Sequence, residues 1–99
     1  MRYAYKISKL AEIDLENIWL YTLQNWSLKQ ANKYYSLIIA EIQIICKNPE
    51  IGKAIEEINT EHRIRKIESH FIVYKIKQDK ILIDRILHKR MDIESRLIE

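Results

Sequence analysis

A chain of 99 residues with 47% apolar content, one Gly and one Pro is long enough for one modest core and has little room for a linker, so residues 1–99 are expected to form a single domain. One cysteine, Cys46, and one glycine exclude an intramolecular disulfide, a cysteine-based metal site and a glycine-rich phosphate loop. The formal net charge of +3 does not by itself argue for nucleic-acid binding, but it is unevenly spread: residues 1–50 hold six Lys/Arg against five Asp/Glu, and residues 63–90 hold nine against three.

Along the chain, Arg2 to Ile7 alternates Tyr3, Tyr5 and Ile7 with Arg2, Ala4 and Lys6, the period of a strand. Ser8 suits an N-cap. Ala11, Leu15, Ile18 and Thr22 then recur at helical spacing, with Trp19 widening the face. Trp26-Ser27 breaks that pattern, and Ser27-Leu28-Lys29-Gln30 has the form of a capping box for a second helix. Its buried face is expected to be Ala31, Tyr35, Ile38, Ile42 and Ile45, with Cys46 a small buried hydrophobe. Asn48-Pro49 should end it, because proline disfavours helical geometry in the residue before it.

Residues 50–61 carry no clear period, and Gly52 marks a turn within a loop that could hold a short helical piece. Three strands follow, over Arg63 to Ile67, His70 to Lys77 and Lys80 to His88, the last two joined by a tight turn at Gln78-Asp79. Asp92 to Ile98 is compatible with a final helical turn. The order β-α-α-β-β-β predicts an α+β fold: an N-terminal strand, an antiparallel two-helix hairpin, then a three-stranded antiparallel sheet. The helices should lie on one face of a mostly antiparallel sheet of about four strands, leaving the other face or a rim open to a partner.

Chemistry-bearing patterns are few. His62, His70 and His88 lack compact metal-ligand spacing, and no serine sits in a nucleophile-elbow sequence, so neither metal nor cofactor is expected. The first residues lack the apolar stretch of a signal peptide, and no apolar run approaches a membrane span, which points to a cytoplasmic protein without membrane contact. Metal-free RNA cleavage needs a base for the 2′-OH, a cation for the phosphorane and an acid for the leaving oxygen. His88, Arg63, Arg65, Arg85 and Arg90 are the right residue types, expected on neighbouring strands; the alternative is a polar strand end or a partner-binding surface.

Taken together, the ordered residues resemble a family. Ile7-Ser8-x-x-Ala11-x-x-Asp14-Leu15-x-x-Ile18-Trp19-x-Tyr21-Thr22-x-x-x-Trp26, then Ala31-x-x-Tyr34-Tyr35 and Asn48-Pro49-x-x-Gly52, resemble the first half of ParE-type toxins. Arg63, His70-x-Ile72-x-Tyr74 and Ile86-Leu87-His88-x-Arg90-Met91-Asp92 resemble the second half. The resemblance implies the RelE/ParE-like fold and the toxin component of a type II toxin–antitoxin system, one that inhibits DNA gyrase by direct binding and needs no cofactor. RelE- and YoeB-like relatives instead cut mRNA on the ribosome and tend to carry a C-terminal tyrosine or comparable acid–base residues. Here no aromatic residue follows Tyr74, which favours the ParE side, although His88 keeps the endonuclease alternative open.

The same resemblance implies a cognate antitoxin, often a ribbon-helix-helix DNA-binding protein whose disordered tail folds on the toxin. Leu15, Trp19 and Tyr34 are the expected antitoxin contacts, with core packing the alternative for Trp19 and Tyr34. Arg63, Arg65, His88, Arg90 and Met91 are the expected target contacts. A dimer, or a heterotetramer with the antitoxin, is compatible with an exposed sheet edge.

Overall fold

The computed structural model describes residues 3–55, 61–91 and 93–97. Strand β1 (Ala4–Ile7) leads into helix α1 (Lys9–Asn25) and helix α2 (Leu28–Lys47). A 3₁₀ turn (Pro49–Ile51) precedes β2 (Lys53–Ala54), β3 (Arg63–Ile67), β4 (His70–Lys77) and β5 (Lys80–His88), and α3 (Ile93–Leu97) follows. The expectations for Arg2, residues 56–60, Asp92 and Ile98 lie outside the described residues.

Both long helices start where a serine caps them. Ser8 Oγ accepts from the Ala11 N–H at 3.0 Å and donates to the Asp84 carbonyl at 2.8 Å, so one hydroxyl closes the first turn and ties it to β5. Ser27 Oγ accepts from the Gln30 N–H at 3.0 Å. Ala11, Leu15 and Thr22 are buried on α1, and Ala31, Ile38, Ile42, Ile45 and Cys46 on α2. One expectation fails: Tyr35 is 41% exposed, and Tyr34 packs against the core in its place. Positions 34 and 35 flank the stripe of Ile38, Ile42 and Ile45 on either side, and it is Tyr34 whose hydroxyl finds partners on the sheet, at His70 and the Ile67 carbonyl.

The sheet has five strands in the order β1-β5-β4-β3-β2. Three of its four pairings are antiparallel, as the sequence implies, and the fourth makes the sheet mixed: β1 pairs in parallel with β5, Tyr5 beside Ile81 and Ile7 beside Ile83. Parallel neighbours need a long connection, and here the two helices and the next three strands supply it. The additional strand, β2, is two residues long, too short to show a period. Two-residue turns join β3 to β4 and β4 to β5, and in each the first turn residue takes a left-handed conformation, Glu68 at φ 52° and Gln78 at φ 57°. These positions usually fall to Gly or Asn, which is why the sequence leaves the turn type open.

A bulge fixes which residues face the helices. Tyr74 lies opposite Ile83 but Val73 opposite Arg85, so Asp84 is the extra residue. Rows facing the helices are therefore Ile76 with Ile81, Tyr74 with Ile83, Ile72 with Ile86, and His70 with His88. Most of the first three rows are fully buried and join Ile38, Ile42 and Ile45 in one core. The fourth row emerges at the end of the sheet.

A candidate binding site at the end of the sheet

The end of that row gathers a polar corner. Tyr34, from α2, sets its hydroxyl 2.7 Å from His70 Nδ1 and 3.3 Å from the Ile67 carbonyl. The His70 ring meets His88 edge to face, with centroids 5.2 Å apart and planes at 84°. His88 Nδ1 accepts from the Arg90 N–H at 3.1 Å, which places the proton of a neutral His88 on Nε2. The chain then turns tightly: Lys89 N–H donates to the Ser69 carbonyl at 2.8 Å and Met91 N–H to the His88 carbonyl at 2.9 Å. Arg90 and Met91 are thereby held exposed beside the histidine pair.

Electrostatics keep the inner part of this corner uncharged. Burial raises the Tyr34 phenol above its ordinary value, opposed by the Ser69 backbone and assisted by Glu68. Burial, and then the charge of His88, pushes His70 down to about 4, while Asp14 pulls the other way. His70 is thus neutral at pH 7, whereas in an unfolded chain it takes a proton near pH 6.5. As pH falls from about 6.5 to about 4 the unfolded state binds more protons at this position, so stability is lost across that window and the loss is complete below it. Between pH 7 and 5 the thermal midpoint should fall more steeply for the wild type than for His70→Gln; parallel curves would show that His70 is not desolvated as described.

The expected target contacts do not all converge. His88, Arg90 and Met91 share the corner, but Arg63 and Arg65 lie on β3, separated from β5 by β4 rather than adjacent to it. Arg63 aligns with Tyr74, four residues along β3 from Ile67, which aligns with His70; at strand rise that is about 13 Å. Three of the four candidate arginines are also engaged by the fold. Arg63 Nη1 donates to the Gly52 carbonyl at 2.8 Å, and Arg65 Nε to Glu41 at 3.0 Å. Arg85 forks onto Asp14, Nε to Oδ2 at 2.9 Å and Nη2 to Oδ1 at 3.0 Å. No interaction within the described chain holds the Arg90 guanidinium.

On the helical side, Trp19 Nε1 donates to Asn32 Oδ1 at 3.0 Å, and Glu16, Trp19, Asn32 and Tyr35 line a shallow depression between α1 and α2. Tyr34 is half-buried in the corner just described. Leu15 is 4% exposed and belongs to the core. Sequence reasoning missed the partnership of Tyr34 with His70, the packing of His70 on His88, and the Asp14–Arg85 pair. Among the described residues no group of three or more His, Cys, Asp or Glu could hold a metal ion, and no helix is long and apolar enough to cross a membrane.

A family model described as the ParE toxin of the type II toxin–antitoxin system parDE matches residues 5–93. The chain belongs to the ParE family. It is 34% identical to Toxin ParE1 of Mycobacterium tuberculosis over 94 residues, covering 94% of this chain and 96% of that protein. Toxin ParE1 of Caulobacter vibrioides is 31% identical over 93 residues, with coverage of 94% and 96%. Toxin ParE of Escherichia coli is 28% identical over 97 residues, with coverage of 97% and 94%. Among solved structures, a chain of the chromosomal ParDE system from P. aeruginosa superposes with a TM-score of 0.77 at 20% identity, covering 88% of this chain and 96% of that one. A chain of the toxin–antitoxin complex RelBE2 from Mycobacterium tuberculosis gives 0.64 at 15% identity, covering 90% and 100%. The five-stranded mixed sheet with its helical hairpin is thus the RelE/ParE-like fold, and the protein is a ParE-family toxin of a type II toxin–antitoxin system.

Proposed function

We propose that this ParE-family toxin inhibits DNA gyrase by direct contact, without covalent chemistry of its own, and that an antitoxin neutralises it. The observation that carries the first part is the engagement of Arg63, Arg65 and Arg85 by backbone carbonyls, Glu41 and Asp14. A phosphorane-stabilising site needs cations converging on one point, and these side chains are spread along the sheet and tied into the fold. His70, held neutral, is a poor proton donor or electrostatic partner at pH 7. The corner of half-buried His88 with exposed Arg90 and Met91 instead offers an arginine and a flexible apolar side chain, residue types enriched where proteins meet. Arg63 and Arg65 extend this contact area along β3.

Antitoxin binding is supported by the structural neighbours, which come from the ParDE system and the RelBE2 toxin–antitoxin complex, and by the apolar side chains left exposed along the hairpin. Tyr21 is 65% and Trp26 75% exposed. Trp19 and Tyr34 are the proposed direct contacts, and Leu15 acts from the core by holding α1 in position.

The double variant His88→Ala with Arg90→Ala should raise the concentration needed for half-inhibition of gyrase supercoiling at least about tenfold, the loss of roughly 1.4 kcal/mol of contact energy, while its thermal unfolding remains cooperative. Full inhibition by that folded variant would remove the corner from the target site. Transcripts cut within codons after induction, with DNA synthesis intact, would establish the ribosome-dependent endonuclease instead.

A further inference from the structure

The charge of this protein is layered. The two long helices with their caps, residues 8–48, hold four lysines against four acids, whereas the five strands hold nine lysines and arginines against one acid, Asp84. The alternation of the strands then sorts most of the cations by type, the exception being Arg85, which lies opposite Val73 and is held by Asp14 at the edge of the sheet. Arg63 and Arg65 point toward the helices, where Gly52 and Glu41 receive them. Lys6 on β1, Lys53 on β2, Lys66 on β3, Lys75 and Lys77 on β4 and Lys80 on β5 stand in register positions that face away from the helices. They lie opposite or beside Leu82, Ile64 and Phe71, around the buried Val73 and Leu87 of that same face.

Lys77 and Lys80 are directly opposed across the β4–β5 hairpin. Like charges in that arrangement destabilise a sheet. Lys77 is offset by Glu61 at 3.0 Å and Lys75 by Asp84 at 3.5 Å. Lys6, Lys53, Lys66 and Lys80 are exposed and make no ion pair among the described residues. They sit on four strands, β1, β5, β3 and β2, from one edge of the five-stranded sheet to the other, a width of about 19 Å at ordinary strand spacing, enough to reach phosphates on both sides of a minor groove about 6 Å wide.

We infer that the face of the sheet turned away from the helices, through Lys6, Lys53, Lys66 and Lys80, binds the phosphodiester backbone of duplex DNA without reading its sequence. Lysines are compact point charges that neutralise phosphates, and they lack the planar fork with which arginine reads guanine edges. Phe71 is the one aromatic residue that the strand register places on this face, so a stacking platform for single-stranded bases is missing. The proposal goes beyond contact with gyrase: it places the toxin on the substrate of its proposed target by a surface other than the His88 corner.

The test uses the full chain and a mixed-sequence 30-base-pair duplex followed by fluorescence anisotropy, with no gyrase present, so that its outcome is separate from the choice of target. Binding is expected in the micromolar range at low salt, weakening about 100-fold between 50 and 200 mM NaCl, as release of counterions from about four phosphates requires. Changing Lys6, Lys53, Lys66 and Lys80 together to Glu should abolish detectable binding. Changing Lys9, Lys29, Lys33 and Lys47 of the helical layer to Glu alters net charge equally and should weaken binding less than about threefold, since that layer is remote and screened. If the first variant does not melt cooperatively, the same four lysines changed to Gln serve in its place, with a loss of at least tenfold expected. Three results would overturn the proposal: no binding by the wild type at 50 mM NaCl, an equal loss in the helical variant, or displacement of the duplex by polyglutamate at equal charge concentration. The last would assign the face to an acidic protein segment.

Discussion

Asp14→Ala should lower the stability of this toxin by about 3–5 kcal/mol, the cost of leaving a buried charge without its partner. Both side chains of the Asp14–Arg85 pair are 13% exposed. Asp14 also accepts from the Ile86 backbone N–H at 2.9 Å. That third bond has a structural reason. β1 covers the edge of β5 only as far as Ile83, and beyond it α1 runs along the same edge. The Asp14 carboxylate takes the place of a neighbouring strand's carbonyl, so its loss exposes a sheet edge as well as a guanidinium. For a domain of this size the expected change is a fall of at least about 12 °C in thermal midpoint. Asp14→Leu with Arg85→Met should recover much of it, since a well-packed apolar pair can replace a buried ion pair; the unpaired Ile86 amide limits the recovery. A midpoint within 3 °C of wild type for Asp14→Ala would show that the pair is solvated and contributes little.

The Asp14–Arg85 pair also marks where the sequence stops being legible. Periodicity locates both long helices and the strands β3 to β5, because each has an apolar face of the correct period, and the serine caps follow from chemistry local to four residues. Register is another matter. A two-residue turn at Gln78-Asp79 pairs Lys77 with Lys80 and, carried on regularly, sets His70 opposite Leu87. The bulge at Asp84 moves the pairing by one, so that His88 meets His70, Ile86 turns into the core and Arg85 turns out of it. No residue type announces that bulge. Arg63, Arg65, Arg85 and His88 were therefore recognisable as candidates, while their separation along the sheet and their separate partners were not. Tyr34 belongs to the Ala31-x-x-Tyr34-Tyr35 pattern, but its hydrogen bond to His70 depends on a contact between residues 36 apart in sequence.

Gly52 illustrates a constraint that is legible only in three dimensions, and Gly52→Ala should cost about 3 kcal/mol. The backbone there, at φ −74° and ψ 148°, suits any residue, so left-handed geometry is not the reason for glycine. Close approach is. A Cβ at position 52 would lie 2.5 Å from Tyr74 Oη, 2.7 Å from Cε1 and 2.9 Å from Cζ. Tyr74 cannot swing aside, because it is fully buried and its hydroxyl is fixed at both ends, donating to the Pro49 carbonyl at 2.6 Å and accepting from the Gly52 N–H at 2.8 Å. An alanine must push the ring off its site or break those hydrogen bonds, effects of about 1–3 kcal/mol each. Tyr74→Phe should cost about 1–3 kcal/mol through the orphaned amide and carbonyl. In that background the nearest clash is gone and the bonds are already lost, so adding Gly52→Ala should cost at least about 0.5 kcal/mol less than it does alone. Urea unfolding of the four proteins measures this directly; strict additivity would show that Gly52 is constrained by something other than Tyr74. The same turn receives Arg63 on its carbonyls, so gyrase inhibition by Gly52→Ala, assayed where the variant is folded, should weaken with the release of Arg63.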